Sequence, residues 1–470
     1  MAGSKIDPRW ISLGVVLLAV LVSRPGRSES LDDAWNAAVA ANQSLRAAQA
    51  GTFSAQHGLA ASKAERLPTV TTLNAYTWLN NTPTFKGNLP ISGSSAPMNF
   101  SMPFLNKDFF FSSTLMTVPL YTGGRILSGI DAAGAQAHAA RAEEFTSAMD
   151  LKLEVARAYL SVLRVDKLLR LAQSNVTTLA AHERDVQNLY REGVAKRTDL
   201  LASRVSLAKA RQRVIQTINE AEVARAAYNR LLGRPLPMDT QLQELAIRND
   251  FGLGTKPDLA AADHLPSALG PGHLNGHTDA AQDAEIEQLT ATALGARSEL
   301  VGLSHKAQAY ASQARAVEAG KKPQVGFVGG FTYLSDTHLA AQDYWSGSLA
   351  ATWLLFDGHR ANHKAEELRM KECQTLRERN DTASKIALNV RSSWMSLRSS
   401  IAALQVAKAA IAQADENLRQ TIERYREQVV TNTEVLDAET LRLQTYTDYY
   451  NSYYSVLEDQ FKLRRAVGVL

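Results

Sequence analysis

Two carboxylates, Glu434 and Asp437, stand three residues apart in YREQVVTNTEVLDAE (Tyr425–Glu439), just after a Thr/Asn cluster that breaks a helical pattern. A spacing of three puts both on one face of a helix. Acids at a helix start ordinarily complement the positive end of the helix dipole; the other reading is a charged surface turned to a passing ion. The same turn is built twice, since YREGVAKRTDLLASR (Tyr190–Arg204) has the same shape. Other chemistry-bearing residues make weaker patterns. His359 and His363 are four apart, a spacing that can bind metal on a helix, but no third ligand is evident and a solvated pair is the simpler reading. Cys373 has no catalytic partner signature, and Gly123–Arg125 lacks the Lys-Ser/Thr of a phosphate-binding loop, so a strand-to-helix hinge explains it better. The tyrosine-rich run 446–454 reads as packing between helices. No nucleophile or acid/base constellation stands out, so the sequence points to no enzyme, and it implies no cofactor or metal.

The elements that would position the acids follow from the whole chain. Its 470 residues carry a formal charge of +4, 21% charged and 45% hydrophobic residues. That composition fits a folded protein, and the small charge suggests no nucleic-acid partner. Lys5 and Arg9 precede the apolar run 11–23, and small residues follow at Gly26 and Ser28. This pattern marks residues 1–28 as a signal peptide. The later sequence offers no uninterrupted apolar run of about 18 residues, the minimum for a membrane-spanning helix.

An internal repeat dominates the remainder. Tyr121–Arg125 matches Phe356–Arg360, Tyr190 matches Tyr425, and Gly233 matches Gly468, each pair 235 positions apart. A constant offset over more than a hundred positions signals two copies of one unit. The copies span 29–235 and 285–470. No proline lies between Pro119 and Pro235 or after Pro323, which permits long helices there. Apolar residues repeat at alternating spacings of four and three through Leu151, Val155, Ala158, Val162 and Val165, and again through Ile386, Val390, Trp394, Leu397 and Ile401. Sustained heptads of this kind bury one stripe against a neighbouring helix. The spacing predicts helices over 126–189 and 198–232 in the first copy, and over 359–425 and 433–467 in the second.

Before each long helix the period changes to two, predicting strands at 69–78 and 109–118, then at 324–334 and 345–356. Each is about ten residues with aromatics near its ends, as in transmembrane β-strands; two soluble hairpins are the alternative. Four strands cannot close a barrel, and an open edge in lipid leaves unpaired backbone groups. Residues 80–104 are rich in Pro, Gly, Ser and Asn and read as a long surface loop, while 236–284 lack periodicity and read as a flexible linker.

The order of these elements resembles the TolC family of outer-membrane channel proteins. The resemblance rests on LDDAWNAAVAANQSL (Leu31–Leu45), VPLYTGGR (Val118–Arg125), YNRLLG (Tyr228–Gly233), ALGARSEL (Ala293–Leu300) and the two turns above. It implies a mixed α and β fold in which long antiparallel coiled-coil helices of a homotrimer form a periplasmic tunnel. Three chains would each give four strands to one β-barrel in outer-membrane lipid. The implied function is an exit duct for efflux or type I secretion, passing small molecules or proteins from an inner-membrane transporter through a periplasmic adaptor. By the same resemblance, Glu434 and Asp437 line the pore constriction, a ring that would favour cations, and Asp199 with Thr198 bonds Tyr425 to lock the closed gate. An arginine of that lock falls at Val430, with Lys196 or Arg197 as conceivable substitutes, and Gln428 replaces an expected glycine, implying a differently shaped second turn. The competing reading is an exported structural or adhesive coiled-coil protein without a pore.

Overall fold

The computed structural model describes residues 28–89, 98–247 and 280–470. The segment expected to be a signal peptide, except its last residue, lies outside the described residues, as do 90–97 of the expected surface loop and 248–279 of the expected linker. The first copy comprises helices α1 (Leu31–Ala41) and α2 (Gln43–Ala64), strands β1 (Thr69–Trp78), β2 (Thr84–Leu89), β3 (Met98–Pro103) and β4 (Asp108–Tyr121), then α3 (Arg125–Arg191) and α4 (Arg197–Leu231). The second comprises α5 (Ala280–Ala296), α6 (Ser298–Ala319), β5 (Gln324–Leu334), β6 (Asp343–Thr352), α7 (Arg360–Arg426) and α8 (Asn432–Val467). Four of these helices, α1, α2, α5 and α6, carry no heptad signal. In α6 the reason is plain: its buried positions are mostly small, among them Gly302, Ala307, Ala309, Ser312 and Ala314.

Both α3 and α7 run for 67 residues, about 100 Å at the helical rise. The stripe of α3 packs against α4, α6 and α8, and that of α7 against α8 and α6. A core centred on Val155, Tyr159, Leu160, Tyr228 and Phe461 joins α1, α3, α4 and α8 near mid-length. A second core of Ile386, Val390, Leu397, Val456 and Leu463 joins α7 to α8 and to the α5–α6 corner. No described helix is long and apolar enough to cross a membrane.

The main strands form one antiparallel sheet in the order β1-β4-β5-β6. The β4–β5 ladder, from Phe111↔Leu334 to Val118↔Phe327, fuses the two copies into that sheet. The register puts Tyr76, Trp78, Phe110, Phe331, Tyr333 and Trp345 on one face and Thr71, Ala75, Ser113, Thr332, Ser348 and Ala350 on the other. Within the chain the sheet stays open, because β1 and β6 each pair on one side only.

Three expectations change. The last strand ends at Thr352, not 356: Thr352 pairs with Gln324, the first residue of β5, so Trp353–Phe356 have no partner, and Pro323 before it lacks an N–H. Residues 80–104 are not wholly irregular, since β2 and β3 pair from Thr84↔Pro103 to Leu89↔Met98; alternation puts Phe85, Leu89, Met98, Phe100 and Met102 on one side, a strand signal hidden by the flanking Pro and Gly. Residues 236–247 are packed rather than flexible. The Tyr159 hydroxyl donates to the Gln243 carbonyl (2.6 Å), Tyr453 to Leu245 (2.9 Å), and Asn229 Nδ2 to Leu236 and Met238. The linker's last residues, 280–284, already belong to α5.

The repeat extends to backbone conformation. Left-handed residues occur at Gly123 and Gly358, Gly124 and His359, Gly193 and Gln428, Gly233 and Gly468, every pair at the same offset. The second turn therefore keeps the first one's shape despite Gln428, contrary to expectation. Gly193 N–H donates to Tyr190 (3.0 Å) and Val194 to Leu189 (2.8 Å); Gln428 donates to Tyr425 (3.0 Å) and Val429 to Arg424 (2.9 Å). A side chain can occupy this region at a cost of about 1–2 kcal/mol. Gln428→Gly should accordingly stabilise the folded chain by about 1 kcal/mol, after glycine's added unfolded-state entropy. Thermal unfolding in detergent checks this; an unchanged or lower midpoint would contradict it.

Candidate functional site: the paired turns at the helix tip

The two turns lie about 100 Å from the sheet, at the far ends of α3 and α7. Each opens its following helix the same way. In α4 the Asp199 carboxylate accepts the Lys196 N–H (3.3 Å). In α8 the Glu434 carboxylate accepts the Thr431 N–H (3.1 Å) and hydroxyl (3.2 Å). Asp199 and Glu434 are thus equivalent caps, 235 positions apart, each satisfying an N–H that its helix leaves open. Glu434 is exposed, and one of its oxygens is engaged in the cap. Asp437 differs: it is exposed, makes no hydrogen bond or ion pair with the described residues, and stands where the first copy has Ala202.

The residues expected to lock the turns are arranged otherwise than foreseen. No hydrogen bond joins the Tyr425 hydroxyl to the Asp199 carboxylate; Asp199 is spent on its cap. The Tyr425 ring packs instead on His182 of α3, centroids 5.6 Å apart. Burial pushes the Tyr425 phenol up from its ordinary value, with the Asp199 charge adding to the effect. Thr198 is exposed and unbonded among the described residues. Lys196 and Arg197 form no ion pair there, so neither replaces the arginine missing at Val430.

The turns are joined by residues the sequence did not mark. Asn432, the first residue of α8, is 2% exposed. Its Oδ1 accepts from His182 Nε2 of α3 (2.7 Å) and lies 3.3 Å from the Ser203 hydroxyl of α4, which shares its one proton with the Asp199 carbonyl (3.0 Å). Its Nδ2 donates to the Asp199 carbonyl (3.1 Å). The repeat hides this residue, since its counterpart in the first copy is the exposed Arg197. Farther along, Asp415 of α7 accepts from Arg442 Nε (2.6 Å) and the Tyr446 hydroxyl (2.8 Å) of α8. The neighbouring Glu439 is buried, and burial raises its pKa against the opposing pull of Arg442.

Burial lowers the His182 pKa, outweighing the Asn432 bond and the Asp185 charge, which raise it. A depressed imidazole favours folding while it is neutral. Its contribution is present above the unfolded value, about 6.5, and is lost as pH falls through the folded one. The apparent melting temperature should therefore drop on acidification from about pH 7.5 to about pH 5.5, and His182→Gln should remove that part of the drop. Identical pH slopes in the two proteins would refute the assignment.

Comparison with known proteins places this architecture. The profile of the outer membrane efflux protein family matches residues 34–234 and 289–469, one segment in each copy. No curated protein matches. Among solved structures, CusC, described in terms of folding and transmembrane channel formation, superimposes with a TM-score of 0.72 at 16% identity, covering 93% of this chain and 92% of that one. The outer membrane protein VceC of Vibrio cholerae gives 0.71 at 16%, covering 93% and 96%. The Campylobacter jejuni CmeC outer membrane channel gives 0.73 at 12%, covering 93% and 85%. Identities this low establish likeness of fold alone. The family match spans both repeats and, taken together, most of the chain: this protein belongs to the outer membrane efflux protein family.

Proposed function

We propose that three copies of this chain assemble into one exit duct, each giving β1, β4, β5 and β6 to a shared twelve-stranded barrel. The observation that supports it is the sheet with two bare edges. An outer-membrane chain cannot leave rows of unpaired N–H and C=O groups in hydrocarbon at several kcal/mol each, and closure with β6 of one copy beside β1 of the next removes every edge. The face of Tyr76, Trp78, Phe331 and Trp345 then meets lipid, and the face of Thr71, Ser113, Thr332 and Ser348 lines the lumen. The long helices continue as a periplasmic tunnel. Its tip meets a periplasmic adaptor and an inner-membrane transporter, and the cargo, small molecules or proteins, passes through unaltered.

At the tip, Glu434 and Asp437 of three chains form the constriction, and rings of acids favour cations. The turns carrying Asp199, Thr198 and Tyr425 are the parts that separate when it opens. Detergent-purified protein tested in a planar lipid bilayer checks the reading. A trimer with a small, cation-selective conductance supports it. A water-soluble monomer that never conducts overturns it.

A further inference from the structure

The junction at Asn432 goes beyond that reading and rests on it. One short amide in the first turn of α8 reaches α3 through His182 and α4 through Ser203 and the Asp199 carbonyl. Through the His182 ring it also meets Tyr425 of α7. All four long helices of the tip therefore converge on one buried cluster, in which Ser203 is 1% and Asn432 2% exposed. Glu434 and Asp437 lie within the next five residues of α8, so whatever fixes Asn432 fixes where the acids stand. The first copy has no equivalent, because Arg197 occupies that position. The junction is specific to the copy that carries the acids.

We infer that Asn432 is the positioning residue of the entrance: its amide latches α8 to α3 and α4, holds the acidic pair at the constriction, and must let go before α8 can part from them. Such a bond network is directional. The amide serves as acceptor on one side and donor on the other, so a side chain of equal size but different hydrogen-bonding capacity cannot replace it. It is also proton-sensitive through His182, the titratable member of the cluster. The charged groups nearest the ring on α3 and α4 are engaged elsewhere, while Lys196 and Arg197 of the first turn form no ion pair among the described residues and add positive charge. Asp185 of α3 lies 3.8 Å from Arg426 of α7, Arg204 of α4 is bonded to Glu183 of α3 (2.9 Å), and Asp199 caps its own helix. A second proton on the imidazole would therefore place a positive charge in a buried site where the Asp185 charge only partly offsets the cost of burial.

The full-length protein in planar lipid bilayers tests this at about pH 7.5 and about pH 5.5, either side of the ordinary imidazole value. Wild type should open more readily at the lower pH. Asn432→Ala strands the His182 N–H and removes the α4 contacts, and should raise the open-to-closed ratio about tenfold at the higher pH and weaken cation preference as the acids lose their fixed place. Asn432→Asp keeps the acceptor for His182 but sets a carboxylate against the Asp199 carbonyl. It should be open at the higher pH and close on acidification, as the imidazolium pairs with the new charge. That inverted profile is one a merely structural role would not produce. If Asn432→Ala forms no trimer, His182→Gln, which still offers an N–H but gains no proton, should abolish the pH response; a retained response overturns the latch. A conducting Asn432→Ala trimer with wild-type gating and pH profile likewise overturns the latch and leaves the channel standing. Wild-type protein that never conducts at either pH overturns both.

Discussion

Gly330→Ala should prevent assembly of a heat-stable trimer, while Gly347→Ala in the adjacent strand should be tolerated. Gly330 pairs with Leu115 in the β4–β5 ladder, the seam between the two repeats within the sheet. A Cβ there would collide with the Thr114 carbonyl oxygen and would lie 2.9 Å from Leu115 Cα. Both obstacles are backbone, so no rotamer change relieves them; the strands must part. Overpacking of this kind costs about 3 kcal/mol, and in a trimer it is repeated three times around one barrel. At Gly347 the nearest atom is the Phe327 ring at 3.5 Å, an ordinary contact with a movable side chain. Because both glycines sit in strands of the same sheet, the pair separates steric exclusion from the general penalty of altering a strand. Electrophoresis of unboiled, detergent-extracted protein reads the result. Loss of the trimer band in Gly330→Ala alone is expected; equal behaviour of the two variants would refute the seam argument.

The repeat was legible because its marks are local. Prolines are absent where α3, α4, α7 and α8 run, and Gly123, Gly193 and Gly233 punctuate the first copy at positions whose partners share their backbone conformation. Heptads and alternation followed from the same local pattern, so the long helices and main strands emerged with small errors at their ends. The lead-in helix α6 stayed hidden because close packing there uses Gly302, Ala307 and Ser312, which leave no apolar stripe to read. Segment 236–247 looked like linker since its anchors, the Tyr159 and Tyr453 hydroxyls and the Asn229 amide, are distant in sequence. At the tip the acids were visible as a spacing, and the turn was visible as a repeat. The junction was not: His182, Ser203 and Asn432 come from three helices and share no spacing, and a bonded Asn in a TNT cluster reads like any helix start. Resemblance named Asp199 and Tyr425 as a lock, but it could not foresee that the Asp199 carboxylate caps its own helix here while the Tyr425 ring packs on His182.

That occupation separates the two acids, and it predicts that they are not interchangeable. Asp437→Asn should abolish most of the cation selectivity without loss of stability, whereas Glu434→Gln should destabilise the tip and reduce selectivity less. Glu434 does in α8 what Asp199 does in α4: it holds the N-terminal N–H and hydroxyl of Thr431, an arrangement whose loss costs about 1 kcal/mol. Glutamine keeps one acceptor oxygen but gives up the charge that complements the helix dipole. Asp437 stands where Ala202 serves the first copy, exposed and without a partner among the described residues, so the helix does not need it. If Asp437 lines the constriction as proposed, its charge is wholly available to a passing ion. A unit charge about 4 Å from a carboxylate gains about 1 kcal/mol even in bulk water, and the same carboxylate repels an anion by as much. Removing three such charges from a ring should therefore lower the cation-to-anion permeability ratio by about tenfold or more. Reversal potentials under a salt gradient measure the ratio, and thermal melts measure the stability. Selectivity lost equally in both variants would mean that the cap leaves Glu434 as free to face the pore as Asp437. Selectivity unchanged in Asp437→Asn would move the constriction away from α8 altogether.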